Sequence, residues 1–436
     1  MRSATAGLLA CLALLGCMPA ADQTAQPAGV VQPESAMVSR GLPSLAGTDF
    51  AALVRQGVSN SPLSSAGSAK LVAAASRLEA ERGARRPQVS AEVSATTSGS
   101  TVPVLSLRQI LFDGGQSKER VALKEVEARG AWLTELSALS TRSFVAVEAI
   151  IGLQRDRKLQ AQAELNSNRI QEIVDDLQSR FDGGVGSVAD LLAGQGRSSN
   201  AQTELGNARS QVQLASTRWV EFFGFAPGQL PNVPLAPSAL RGASMADVIA
   251  NSPRMREQAE VTQARMRSLS IAQRSGRPTI SAIVETDFDQ GSFRDPVQAR
   301  LGVSAPIYRG GAVKANVAAA EAALAESKAN EEALQRELTR ALSEALVETN
   351  SVKGRLSSAR KSVEINTEAL EAARGQFEIG RGSLLQILDA LRELNVAQAQ
   401  VIQLEADALS AEYAILATTG DILDVLGIVQ PVDPTR

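Results

Sequence analysis

The chain contains the same helix-breaking turn twice, and a duplicated turn leaves few folds open to it. Phe181 to Leu192 reads FDGGVGSVADLL, and Phe377 to Leu388 reads FEIGRGSLLQIL. With Phe set on Phe, Gly186 falls on Gly382, Ser187 on Ser383 and Leu192 on Leu388, roughly 196 residues apart. Other punctuation keeps the register. Asn60-Ser61-Pro62 matches Asn251-Ser252-Pro253, Arg86-Pro87 matches Arg277-Pro278, Phe112-Asp113-Gly114-Gly115 matches Tyr308-Arg309-Gly310-Gly311, and Gly224 falls on Gly420. The offset grows from about 191 to about 196 between the prolines and the Gly-Gly pairs, which puts a short insertion in the second copy between two candidate strands. One architecture built from two halves follows, in place of the two or three domains that 436 residues would otherwise imply.

Two segments in each copy have period two. In 88–96 Val89, Ala91, Val93 and Ala95 alternate with Ser90, Glu92 and Ser94, and 102–112 reads as the hairpin partner. The second copy repeats this in 279–288 and 297–308, where Ile280, Ala282 and Val284, then Val297, Ala299, Leu301, Val303 and Ala305, recur at every other position. Strands of about ten residues with one apolar face suit a transmembrane β-barrel, and they also suit two hairpins capping a soluble helical bundle. Four strands cannot close a barrel alone, so the membrane reading requires several chains.

After each Gly-Gly pair the period becomes helical. Residues 116–180 and 312–376 contain no proline, and each would span about 95 Å as an unbroken helix. Leu356, Val363, Leu370 and Phe377 stand at heptad spacing, with Ala359, Asn366, Ala373 and Gly380 between them, which is a coiled-coil seam with small alternate positions. A return helix of about 35 residues follows each turn. Its missing half is assigned to 253–276 in the first copy and to a helix from Ser68 to Arg82 in the second. Thr48 reads as an N-cap, and 225–243 is Pro-rich and irregular.

Composition narrows the function. There is no His, which removes the commonest general base and metal ligand, and the net charge of −3 gives no basis for nucleic-acid binding. No catalytic residues, metal site or cofactor are expected. Aromatics make up 3% of the chain, a balance that suits long, closely packed helices. No apolar run after the first two dozen residues approaches the ~20 of a membrane-spanning helix. The N-terminus has a basic start at Arg2, an apolar stretch from Ala4 to Leu15 and a small-residue boundary, the plan of a secretory signal. Both cysteines, Cys11 and Cys17, lie here. Leu14-Leu15-Gly16-Cys17 resembles the bacterial lipoprotein box, in which the cysteine becomes the acylated first residue; ordinary cleavage near Ala20-Ala21 is the alternative.

Taken together, the order of short helix, hairpin, Gly-Gly, very long helix, turn and return helix, present twice, resembles the TolC-like outer-membrane efflux and export channels. The tokens are Asn60-Ser61-Pro62, Leu111-Phe112-Asp113-Gly114-Gly115, Val185-Gly186-Ser187, Pro306-Ile307-Tyr308-Arg309-Gly310-Gly311 and Ser383-Leu384-Leu385-Gln386-Ile387-Leu388-Asp389-Ala390, over 48–428. The resemblance implies a mainly α protein with a small β part, whose duplicated long α-hairpins form an α-barrel tunnel joined to a trimeric 12-stranded transmembrane β-barrel. It implies a homotrimer in outer-membrane lipid that extends into the periplasm, with a periplasmic adaptor protein and an inner-membrane pump as partners. Passive conduction in efflux or type I secretion follows; a non-conducting coiled-coil scaffold lipoprotein of the envelope is the alternative.

By the same resemblance, the helix turns form the periplasmic entrance. Val185, Gly186, Ser187, Gly382 and Ser383 become adaptor contacts, and Asp190, Phe377, Arg381, Gln386 and Asp389 become the gate. The family's Tyr is Phe377 here, its Arg is Gly382 with Arg381 displaced by one, and Gln386 replaces one Asp. Asp190 and Asp389 also read as solvated acids near helix N-termini. The expected division is a signal peptide at 1–16 and a lipid-anchored tether at 17–47, followed by two repeats and a tail at 429–436. The first repeat, 48–243, contains the hairpin 88–112, the long helix 116–180, the return helix 188–224 and the equatorial segment 225–243. The second, 244–428, contains the hairpin 279–308, the long helix 312–379 and the return helix 384–419. Intact mass of the mature protein should show an acylated N-terminal Cys17; an unmodified chain starting at Asp22 would contradict this.

Overall fold

The computed structural model describes residues 40–95, 101–289, 292–293, 297–379 and 381–435. The first copy comprises α1 (Asp49–Asn60), α2 (Pro62–Gly83), β1 (Gln88–Ala95), β2 (Thr101–Phe112), α3 (Gln116–Asp182) and α4 (Val188–Phe223). The second comprises α5 (Met245–Ala250), α6 (Pro253–Arg274), β3 (Thr279–Asp289), β4 (Ser292–Phe293), β5 (Gln298–Ser304), α7 (Ala312–Glu378) and α8 (Leu384–Thr419), and α9 (Ile422–Leu426) follows. Both outgoing helices have 67 residues and both return helices have 36. The fold is mainly helical with one small antiparallel sheet, as the repeat implies.

Glycine in the left-handed region sets these equal lengths. Gly115 and Gly311, each at φ 83°, lead into the long helices, and Gly224 and Gly420 end the return helices at φ 79° and 85°. The two Asn-Ser-Pro tokens start helices in the same way: Ser61 and Ser252 occupy the N-cap, and Pro62 and Pro253 the first turn, where a missing N–H costs nothing. Helix α2 therefore starts at Pro62, six residues before the Ser68 that apolar spacing alone gives.

The long helices pack as one layer. Helix α3 packs against α2 and α4 on one flank and α6 and α8 on the other, whereas α7 packs mainly against α8 and α6, with a smaller contact to α5. So α4 shares its flank of α3 with α2, and α8 shares the groove between α3 and α7 with α6. This corrects the expected pairing of return helices with short helices: the half-length helix beside each return helix belongs to the same copy. One edge of the layer is α2 with α4, and the other is α7.

The main core lies where the helices break. Phe50, Trp132, Leu136, Ile150, Trp219, Phe223, Tyr413 and Leu426 are buried there, with Phe222 and Phe225 packed against them. Trp219 stacks on Phe223 at 4.0 Å between ring centroids, and Phe50 meets Tyr413 at 5.6 Å. The irregular segments close over this belt by donating backbone acceptors: the Tyr413 hydroxyl donates to the Pro234 carbonyl at 3.0 Å and the Trp132 indole to Pro431 at 2.8 Å. Burial pushes the Tyr413 phenol well above its ordinary value. Helix α3 does contain an 18-residue window of mean hydropathy 1.4, contrary to the reading that no such run exists, and 56% of that window is buried. Leu136, Leu139, Ala146, Val147, Ile150 and Leu153 of this helix fill the belt core.

At the far end from the turns, the two hairpins unite in one sheet ordered β1-β2-β3-β5, antiparallel throughout. Register places Val89, Leu107, Val284 and Ala299 in one row and Ser90, Ser106, Glu285 and Gln298 in the next. One face is therefore mainly apolar across all four strands and the other mainly polar, with exceptions that include Gln109 on the first and Val104 and Ile283 on the second. The Ser90 and Ser106 hydroxyls meet at 2.8 Å on the polar face. The insertion in the second copy extends the tip of β3, where Phe288 pairs with Phe293 and Asp289 with Ser292. Strand β5 stops at Ser304, short of the expected Tyr308, because Pro306 has no N–H for a ladder.

Sheet and helices join at Asp113. Its carboxylate accepts from the Gly115 amide at 3.0 Å and the Ser117 amide at 2.6 Å. Burial alone would raise this carboxyl, but the amides of Ser117 and Gly115 and the Arg120 charge hold it below its ordinary value. Such a group adds stability above its unfolded pKa of about 4, and that stability is lost as pH falls through the lower folded value. Asp113→Asn should lower stability at pH 7 by about 1 kcal/mol and flatten the acid limb. Thermal unfolding at pH 7 and pH 3 measures both; an unchanged variant would contradict the cap.

Candidate functional site: the tips of the two helical hairpins

The two turns share one pair of backbone hydrogen bonds. In the first, the amides of Val185 and Gly186 both donate to the Arg180 carbonyl, at 3.0 and 2.9 Å; in the second, those of Arg381 and Gly382 donate to Gln376, at 2.8 and 3.0 Å. This geometry carries the backbone back across the end of the outgoing helix. A Cβ at Gly186 would sit 2.7 Å from the Phe181 nitrogen, and one at Gly382 3.0 Å from the Phe377 nitrogen. Close approach of main chain, with no need for positive φ, is what demands glycine here.

The serine after each glycine starts the return helix. Ser187 accepts from the Ala189 amide at 3.1 Å, and Ser383 from the Gln386 amide at 3.3 Å. Gln386 completes a capping box, its side chain accepting from the Ser383 amide at 3.1 Å. The expected gate residue Gln386 thus has a local structural task, and the S-x-x-Q spacing from Ser383 was a readable signal for it. Asp190 lies in the first turn of α4, half-buried, where the helix dipole favours an acid.

Packing then joins the two tips. Ile170, Val174 and Leu177 of α3, Leu191 of α4, Leu370 of α7 and Leu384, Ile387, Leu388 and Leu391 of α8 form one cluster, with Phe377 at its edge. The Arg180 guanidinium lies 4.4 Å from the Phe377 ring centroid, a cation–π contact between the outgoing helices of the two copies. Phe377 therefore has no hydroxyl contact to offer but does hold a cation. Asp389 is exposed and forms an ion pair with Arg197 of α4 at 2.5 Å. Arg381 is exposed, as are Val185, Ser187 and Ser383, whereas Gly186 and Gly382 are half-buried. Cys17 and Gly380 lie outside the described residues.

Sequence reasoning missed Arg180 and Arg197. Their partners are almost 200 residues away in the other copy, and only the lateral placement of the hairpins brings them together. Among the described residues, no cluster of three or more His, Cys, Asp or Glu could hold a metal. The arrangement offers shape, charge and a separable contact between two hairpins.

Gly186→Ala should weaken the first turn by about 1–3 kcal/mol locally and expose the Val185 and Gly186 amides to faster hydrogen exchange. Gly196→Ala, in α4 where a Cβ meets open space, should leave the tip unchanged. Equal protection in the Gly186→Ala tip would contradict the close-approach requirement.

Residues 245–421, from α5 past the end of α8, match the outer membrane efflux protein (OEP) family. The chain is 25% identical over 419 residues to the outer membrane efflux protein BepC of Brucella suis biovar 1 (strain 1330), covering 90% of each. Among solved structures it resembles the outer membrane protein VceC of Vibrio cholerae, with a TM-score of 0.74, 17% identity, and 85% of this chain and 96% of that one covered. It also resembles the CmeC outer membrane channel of Campylobacter jejuni, with a TM-score of 0.75, 14% identity, and 89% and 88% covered. Residues 245–421 thus match the outer membrane efflux protein family, the chain is similar to BepC along most of its length, and its fold is that of the outer-membrane channels VceC and CmeC.

Proposed function

We propose that this protein is the passive outer-membrane channel of a tripartite efflux or type I secretion assembly, built from three copies of the chain. The sheet carries this reading. Its apolar face exposes Val89, Val93, Leu105, Leu301 and Val303, each at 45% or more, and no helix among the described residues covers it. Among the described residues its outer strands β1 and β5 each pair on one side only. In lipid an open edge would leave backbone groups with no hydrogen-bond partner, so the sheet must close on further copies. Three copies give twelve strands, an even antiparallel barrel.

The helical layer supports the same closure. Edge helix α7 buries only Ser327, Leu338, Leu342, Thr349, Val352, Ala359 and Leu370 along its 67 residues, while α3, with neighbours on both flanks, buries about three times as many. Joining α7 of one copy to α2 and α4 of the next completes a ring of helical columns around a lumen.

In this reading the barrel opens outward and the hairpin tips form the periplasmic entrance. Asp190, Phe377, Arg381, Gln386 and Asp389 surround that entrance. The turns at Val185-Gly186-Ser187 and Gly382-Ser383 face a periplasmic adaptor that connects to an inner-membrane pump, and acylated Cys17 adds an anchor in the outer membrane. Transport requires no chemistry from this chain.

Native mass measurement in detergent should give three chains. Cysteines introduced in β1 and β5 should cross-link between copies and never within one. A stable monomer, or an intrachain β1–β5 link, would return the sheet to a soluble cap on an envelope scaffold.

A further inference from the structure

We infer that Arg197 sets the ion selectivity of the entrance by cancelling the charge of Asp389. The inference rests on the channel reading above.

Geometry comes first. Helices α4 and α8 are second neighbours in the layer, since each packs against a flank of α3, yet they also touch one another. In a layer that curls into a ring, second neighbours approach most closely on the concave side. The Arg197–Asp389 contact is such an approach: it joins the third turn of α4 to the second turn of α8 at 2.5 Å. Closure of the layer thus places this pair on the lumen side. Both side chains reach water, at 29% and 61% exposure, so both contribute to the field that a permeating ion meets.

Charge decides the outcome. Asp389 alone would give three converging carboxylates in a trimer and raise the local cation concentration. Arg197 adds three positive charges at contact distance. The screening length is about 10 Å at 0.1 M salt, so the guanidinium offsets the carboxylate even when the direct contact breaks. The Arg197–Asp389 pair is therefore nearly neutral as a unit, and its negative ring is latent.

Exposed ion pairs contribute little to stability, so the pair can be altered in a folded trimer. The probe is reversal potential of purified trimers in planar bilayers across a potassium chloride gradient. Arg197→Gln should raise the cation-to-anion permeability ratio about threefold, and Asp389→Asn should lower it. Arg197→Lys, which keeps the charge, should match wild type. Arg209→Gln, higher on α4 and paired with Glu164 of α3, should do the same. A conducting Arg197→Gln trimer with wild-type selectivity would overturn this inference and leave the channel reading intact. An equal shift in Arg197→Lys would also overturn it, by assigning the effect to packing. Wild-type trimers that pass no current would overturn the channel reading and this inference together.

Discussion

A β-sheet in lipid cannot leave an edge open, and this chain makes a sheet with two. Four strands are too few to close, and among the described residues nothing covers the apolar face that their register creates. Everything below the sheet follows the same open-edged plan. Asp113 and the Gly-Gly pairs hand each hairpin to a 67-residue helix, so the helical columns inherit the order and spacing of the strands. The layer therefore ends on one side at α7 and on the other at α2 and α4, and closing the sheet closes the columns.

Duplication supplies this plan cheaply in sequence, and the copies differ where their tasks differ. Both copies start the long helix with an amide-to-carbonyl bond, from the Gln116 amide to Asp113 and from the Ala312 amide to Arg309, but among the described residues the first alone adds a carboxylate cap, at Asp113. The second tip has a full capping box at Ser383 and Gln386, and the first has a single bond to Ser187. Aromatic side chains gather in the belt, where Trp219, Phe223, Phe50 and Tyr413 fill the space between broken helices. Small residues such as Ala359 and Ala373 serve the seam, where two straight helices lie close.

Much of this was legible in the residues because it is local. Gly-Gly, Asn-Ser-Pro and the two turn motifs are punctuation whose cause is backbone conformation or close approach, and period two against period three and a half separates strand from helix. Lateral order was not legible: return helices and short helices pair within a copy because of how the layer folds, and no spacing in the sequence encodes that. The tip shows the same division. Gly186, Gly382 and the serine caps are local, and Gln386 could have been recognised as the third residue of a cap. Arg180 on Phe377 and Arg197 on Asp389 join positions in different copies, and neither Arg stands in the duplicated motif.

In the proposed trimer the open edges of one chain become a hollow ring of three. Single-particle images of the purified protein in lipid nanodiscs, viewed down the long axis, test it most directly. Three-fold symmetric rings with a central hole continuing from sheet to tips are the predicted result. A solid helical bundle, or a particle with one or two chains and no axial hole, would contradict it.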